Sequence, residues 1–191
     1  MASQRHLTQW KSRSLVCWLV TALSIVTMGA GTANASAPSP TREEFARQAA
    51  AAGLSPAQAR RLQARVDGYL ENLGGVQDAA NQIRLDGATL TLTLPGEERV
   101  RSLTGSILAP GCSYRYLCAW KYQDYTGDRI NYYYCTTVSM PWATFGSFRN
   151  NQTYGTVTRF IDINHVAFDY SESPEDDPNY YWAPVYWIDV C

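Results

Sequence analysis

The stretch Cys118-Ala119-Trp120-Lys121-Tyr122-Gln123-Asp124-Tyr125-Thr126-Gly127 decides the fold of this chain. An aromatic residue is followed by four others, a second aromatic, one more, and then glycine; Trp120, Tyr125 and Gly127 hold those places. The spacing predicts a folded hairpin, in which the chain bends back over its own sheet and the two rings cover the bend. One backbone position in such a bend needs positive φ, which glycine adopts without a Cβ clash. Residues 129–134 then read as the next strand, with Ile130, Tyr132 and Tyr134 on one face.

Outward from the motif, residues 112–191 carry 12 Tyr, four Trp and four Phe, so a quarter of the segment is aromatic. Helix formers are scarce. Short runs of Tyr, Val, Ile and Thr are broken by Gly, Asn, Asp and Pro, which predicts an all-β sandwich with frequent turns. Eighty residues make a small core, and disulfides are a usual supplement at that size. Cys112, Cys118, Cys135 and Cys191 all lie here and read as two disulfides, with three pairings open. A four-cysteine metal site would want paired C-x-x-C spacing, which the segment lacks.

The Trp120–Tyr125–Gly127 motif resembles the Greek-key signature of the βγ-crystallin superfamily. The order of Cys112, then Leu117-Cys118-Ala119-Trp120, Gly127 and Cys135 resembles more narrowly the bacterial secreted proteins of peptidase inhibitor family 36. Gly146-Ser147-Phe148-Arg149-Asn150-Asn151 resembles a further stretch of those proteins. The resemblance spans most of residues 36–191 and implies a βγ-crystallin-like sandwich that inhibits metalloproteinases. Which loop would inhibit is not given by it. Two features depart from the superfamily. Its calcium motif, aligned on Gly146-Ser147, puts Trp142 and Ala143 where oxygen ligands belong, so no calcium site is expected there. No second aromatic-x4-aromatic-x-Gly follows, so a second half-domain rests on strand pattern alone.

Ahead of the motif the character changes. Thr41 and Glu44 are spaced as a capping box, and Gly53 ends a short helix. Ser55-Pro56 opens a second helix whose Ala59, Leu62, Val66, Tyr69, Leu70 and Leu73 share one face. Arg60, Arg61, Arg65 and Glu71 read as its solvated side. Ile83, Leu85, Leu90, Leu92 and Leu94 alternate with polar residues around Asp86-Gly87, a hairpin signal. Residues 36–96 are therefore expected as a helix–helix–hairpin leader and residues 97–111 as a linker, ahead of a domain at 112–191. Arg99 and Arg101 make the linker a region open to cleavage, and the leader a candidate pro-segment.

Residues 1–35 read as a signal peptide: Arg5, Lys11 and Arg13, then an apolar run from Leu15 to about Ala30, then Ala33-Asn34-Ala35. Cleavage after Ala37 fits the same rule. Removal takes Cys17 and three basic residues, leaving 13 basic against 17 acidic and a formal charge of −4. That balance argues against nucleic acid or an anionic membrane as partner. A secreted, extracellular and monomeric protein is expected.

Catalytic chemistry is sparse. His165 is the only histidine after residue 35, and neither a Gly-x-Ser-x-Gly elbow nor a His-Glu-x-x-His helix is present. No catalytic residue, cofactor or metal ligand is assigned, and the chain is read as non-enzymatic. Asp124 and Asp128 read as solvated turn carboxylates, and the acidic residues 172–178 as a solvated loop. The leading expectation is a peptidase-inhibitor-like protein whose partner is an extracellular proteinase, bound through a rigid loop. The alternatives are a βγ-crystallin-like structural or calcium-binding envelope module, and a toxin or carbohydrate-binding module using Trp182 or Trp187.

Overall fold

The computed structural model describes residues 40–103 and 111–191. The expected signal segment 1–35, its expected cleavage positions and residues 104–110 of the expected linker lie outside the described residues. Helix α1 (Arg42–Ala51) starts at Thr41, whose side chain accepts from the Glu44 N–H; Glu44 itself turns to Arg47. Helix α2 (Pro56–Leu73) has a complete capping box between Ser55 and Gln58 and proline in its first turn. Among the described residues eleven strands follow: β1 (Val76–Ala79), β2 (Gln82–Leu85), β3 (Ala88–Thr91), β4 (Tyr116–Tyr122), β5 (Thr126–Tyr132), β6 (Thr137–Ser139), β7 (Phe145–Asn151), β8 (Val157–Ile161), β9 (Ala167–Glu172), β10 (Glu175–Tyr181) and β11 (Trp187–Asp189).

All pairings are antiparallel, in two sheets: β1-β2-β3-β5-β4-β7-β10 and β6-β11-β8-β9. The fold is thus mostly antiparallel β with a small helical lead-in. Alternation decides what is buried. On the inner face of the larger sheet Ile83, Leu90, Leu117, Ala119, Ile130, Tyr132 and Phe148 are buried. The smaller sheet answers with Phe160 and Ile188, and the rings of Phe148 and Phe160 lie 5.3 Å apart across the interface. Phe45 and Ala49 of α1 and Leu62 and Val66 of α2 join the same core.

The segment expected as a separate leader is built into this body. Strand β3 pairs with β5 from Ala88↔Tyr132 to Thr91↔Arg129, so the hairpin extends the sheet that holds the motif. The described residues form one compact unit. The reason is chemical as well as topological. Asp128, read as a solvated turn residue, is only 1% exposed. Its carboxylate pairs with Arg65 of α2 and accepts from the Tyr69 hydroxyl at 2.9 Å and the Thr93 N–H at 2.9 Å. Arg65 also donates to the Thr93 carbonyl, so it leaves the solvated helix face assigned to it. The described part of the expected linker is likewise held. Gly127 N–H donates to the Glu98 carbonyl, Asn81 donates to the Arg101 carbonyl, and Arg101 donates to the Ala52 carbonyl.

Two further expectations change. Residues 172–178 are not a loop: Glu172 ends β9 and Glu175 opens β10, which runs along the larger sheet's edge. Its carboxylates and Pro178 suit an edge, where charge and proline discourage further pairing. Tyr134 lies beyond β5 and is 65% exposed, so it does not share the buried face of Ile130 and Tyr132.

Candidate functional site

The β4–β5 hairpin is folded back as its spacing predicts. Asp124 and Tyr125 both take positive φ, and Gly127 sits at φ 81° where a Cβ would fall 2.6 Å from the Tyr122 ring. Trp120 and Tyr125 meet edge to face at 5.2 Å. Ser147 on β7 pins the bend: its hydroxyl accepts from the Tyr125 N–H at 2.9 Å and donates to the Tyr122 carbonyl at 2.8 Å. In the sequence Ser147 stands out only as part of a degraded cation motif and of the Gly146–Asn151 stretch of the resemblance. Trp142, in the same alignment, is buried and donates its indole N–H to the Tyr69 hydroxyl. Burial, followed by the neighbouring Asp128 carboxylate, holds that phenol well above its ordinary range.

The cysteines pair as Cys112–Cys118 and Cys135–Cys191. The first bridge lies on the outer face of the larger sheet, where Cys112, Cys118 and Trp120 form a cluster of their own, flanked by Tyr116 and Tyr125. Arginines stack on it. Arg129 lies over Trp120 at 5.8 Å and donates to the Gly111 carbonyl; Arg149 lies over Tyr125 at 4.7 Å. Asp176 closes the group, receiving the Tyr125 hydroxyl and facing Arg149 at 3.5 Å. Burial pulls the Arg129 guanidinium down to about 10, and burial with the Asp176 bond raises the Tyr125 phenol.

Register places several loops at one end of this sheet. Tyr132 faces both Ala88 and Leu117, Tyr116 faces Asn151, and Asn150 faces Glu175. The Asp86-Gly87 turn, the 112–116 loop, the 133–136 loop and the chain after Asn151 therefore share that end. Both disulfides anchor there, since Cys135 follows β5 and Cys191 follows β11, whose neighbour Val190 donates to the Thr136 carbonyl. The three most exposed aromatics among the described residues are on the same end: Tyr114 at 62%, Tyr134 at 65% and Tyr154 at 89%.

Other candidates fall elsewhere. Trp182 is fully buried and donates to the Trp120 carbonyl, which removes it from any ligand-binding role. His165, at positive φ on the exposed β8–β9 loop, stacks on Trp187 at 4.1 Å. Asp124 is exposed; its N–H donates to the Pro178 carbonyl. A groove of about 400 Å³ between α1 and α2 has apolar walls that include Phe45, Ala49, Leu54 and Leu62. Its polar lining is Arg42, Arg60 and Gln63, which supplies neither a nucleophile nor a base at neutral pH. Among the described residues no three Cys, His, Asp or Glu side chains are grouped to hold a metal ion, and no helix is long and apolar enough to cross a membrane. Two disulfides fit an oxidising compartment. Comparison with known protein families, with characterised proteins and with solved structures finds no match to this chain.

Proposed function

We propose that this is a secreted, non-enzymatic protein that binds and inhibits an extracellular proteinase of the metalloproteinase type, on a βγ-crystallin-like Greek-key body. The strand order supports the body. β4, β5 and β7 stay together while β6 joins the other sheet; β8, β9 and β11 stay together while β10 joins the first. Each set of four thus lends its third strand to its neighbour, as two interlocked Greek keys would. The pinned Trp120–Tyr125–Gly127 hairpin supports it further.

The observation that carries the inhibitory reading is the disulfide-anchored end of the larger sheet, with its exposed tyrosines. A surface held by covalent bridges and strand pairing loses little conformational freedom on binding, which is what an inhibitor needs. Tyrosine adds contact area at low entropic cost. The test is inhibition of thermolysin-like zinc proteinases and of subtilisin-like and trypsin-like serine proteinases by purified residues 36–191. Inhibition of a zinc proteinase at micromolar concentration is expected. A folded protein that inhibits none of the three classes overturns the reading.

A second reading has its own observation. The outward face of the smaller sheet carries Trp187, with Phe168 43% and Tyr170 56% exposed beside it. Flat rings beside the Arg159–Asp189 pair suit a sugar's C–H faces and hydroxyls. Glycan-array binding that is lost in Trp187→Ala would favour a carbohydrate-binding module over an inhibitor.

A further inference from the structure

The loop closed by Cys112 and Cys118 differs in kind from the other exposed loops of the described body. Five residues, 113–117, lie between the bonded cysteines, and its tip, Ser113-Tyr114-Arg115, is exposed. Both ends are covalently fixed and the base is packed. Cys112 and Cys118 sit on Trp120, and Arg129 holds the Gly111 carbonyl from below. The loop's backbone is committed as well. The Arg115 N–H donates to the Asn151 carbonyl at 2.8 Å, and the Tyr116 N–H donates to the Ser113 carbonyl at 3.1 Å. The Asn151 side chain donates back to the Cys112 carbonyl at 2.9 Å. Tyr116 packs edge to face on Tyr133 at 5.9 Å, and Tyr133 on Tyr134 at 4.8 Å. The loop is thus fixed from beneath and from one side, and it projects two side chains.

Those two are Tyr and Arg, residue types that dominate binding energy at protein interfaces. Arg115 forms no ion pair among the described residues, although the chain beyond the signal peptide is acidic overall. It also takes φ 76°, which a residue with a Cβ adopts only when its surroundings hold it there. That conformation, with two N–H groups already spent, keeps the loop from lying as an extended strand across a catalytic centre. By contrast, the 162–166 loop is held at its tip by the Asp162 carboxylate, which accepts from Asn164 and Val166, with no covalent closure.

We propose that Ser113-Tyr114-Arg115 is the surface by which the protein engages its proteinase. Tyr114 enters an apolar subsite and Arg115 meets carboxylates on the rim of the cleft. This rests on the inhibitor reading above. The loop acts as a rigid plug gripped by its side chains, not as a substrate-like strand, so it survives the encounter uncut.

The experiment compares inhibition constants of residues 36–191 with those of Tyr114→Ala, Arg115→Gly and Ile163→Ala against the three proteinase classes. Glycine accepts the positive φ at 115, so Arg115→Gly removes the guanidinium and keeps the backbone. Tyr114→Ala and Arg115→Gly should each weaken inhibition by about tenfold or more. Ile163→Ala, an exposed change on the other loop, should leave it unaltered. Mass spectrometry of the mixture should find the chain unbroken between residues 113 and 116. Inhibition by the parent protein that both loop variants retain in full overturns the assignment of the loop while the inhibitor reading stands. Cleavage within 113–116 during inhibition overturns the plug geometry. A parent protein that inhibits nothing overturns the reading, and this inference falls with it.

Discussion

Replacing Asp128 with alanine removes the group that ties helix α2 and the 88–94 segment to the motif strand β5. The carboxylate is buried, pairs with Arg65, and accepts from the Thr93 N–H, the Thr93 hydroxyl and the Tyr69 hydroxyl. Breaking a buried, hydrogen-bonded ion pair from one side costs about 3–5 kcal/mol. The Thr93 N–H, left without an acceptor, adds about 1–3 kcal/mol, while the two hydroxyls can rotate to other partners. A total of about 4–8 kcal/mol is a large share of the roughly 5–15 kcal/mol available to a domain. At about 2–4 °C per kcal/mol for a chain of this size, the melting temperature should fall by about 8–30 °C. Arg65→Ala leaves the buried Asp128 carboxylate without its cation and should cost about 3 kcal/mol, softened by the Thr93 and Tyr69 donors that it keeps. The double variant should show a coupling of at least about 1 kcal/mol, since the two share one interaction. The assay is urea and thermal unfolding followed by tryptophan fluorescence and circular dichroism. An Asp128→Ala protein that melts within about 2 °C of the parent, or a cycle with no coupling, would show that this contact is not a main bond between the two halves.

Four other outcomes follow from the same structure. A chain starting at Gly111 should fail to fold, because β5 loses its β3 partner and Asp128 its Arg65 and Thr93 partners; intact mass of the protein from culture supernatant should place the N-terminus near Ser36 or Pro38, and one near Gly111 would contradict this. Gly146→Ala should destabilise by about 3 kcal/mol in denaturant titrations, since a Cβ there would lie 2.1 Å from the Trp182 indole nitrogen and 2.4 Å from the Trp120 carbonyl oxygen. Stability should fall above about pH 10: the phenols of Tyr69, Tyr132 and Tyr180 are raised, each by burial first, so they stay neutral in the folded chain while their unfolded counterparts ionise. Arg129, lowered to about 10 by burial, opposes this with up to one proton, so unfolding free energies should change little near pH 9 and decline ever more steeply through pH 10, reaching a slope of about two protons near pH 11; a profile flat to pH 11 would contradict it. Calcium should leave the melting temperature unchanged, as Trp142 and Ala143 offer no side-chain oxygen where the superfamily motif does.

Much of the local structure is legible in the sequence because local rules govern it. Ser55-Pro56 starts α2, Asp86-Gly87 turns the β2–β3 hairpin, and the Trp120–Tyr125–Gly127 spacing folds the β4–β5 hairpin. What escapes reading is decided by contacts between distant segments. Asp128 looked like a turn residue beside Gly127, yet it stands two and four residues before the buried Ile130 and Tyr132, and that alternation already placed it inward. Arg65 precedes Tyr69 by one helical turn, so both reach the same carboxylate. The disulfide pairing follows from which strand ends the register brings together, which cysteine spacing does not encode. Ser147 could not be found without knowing that β7 lies beside β4. The leader and domain looked separate because their compositions differ, whereas sheet pairing runs through backbone groups and is blind to composition.

Whether this body closes the cleft of a proteinase is decided by titrating residues 36–191 into a thermolysin-like zinc proteinase by calorimetry, once with the cleft free and once with it filled by a tight active-site ligand. A one-to-one complex should form with the free enzyme and not when the cleft is occupied. Equal binding to both forms, or none to either, would contradict it.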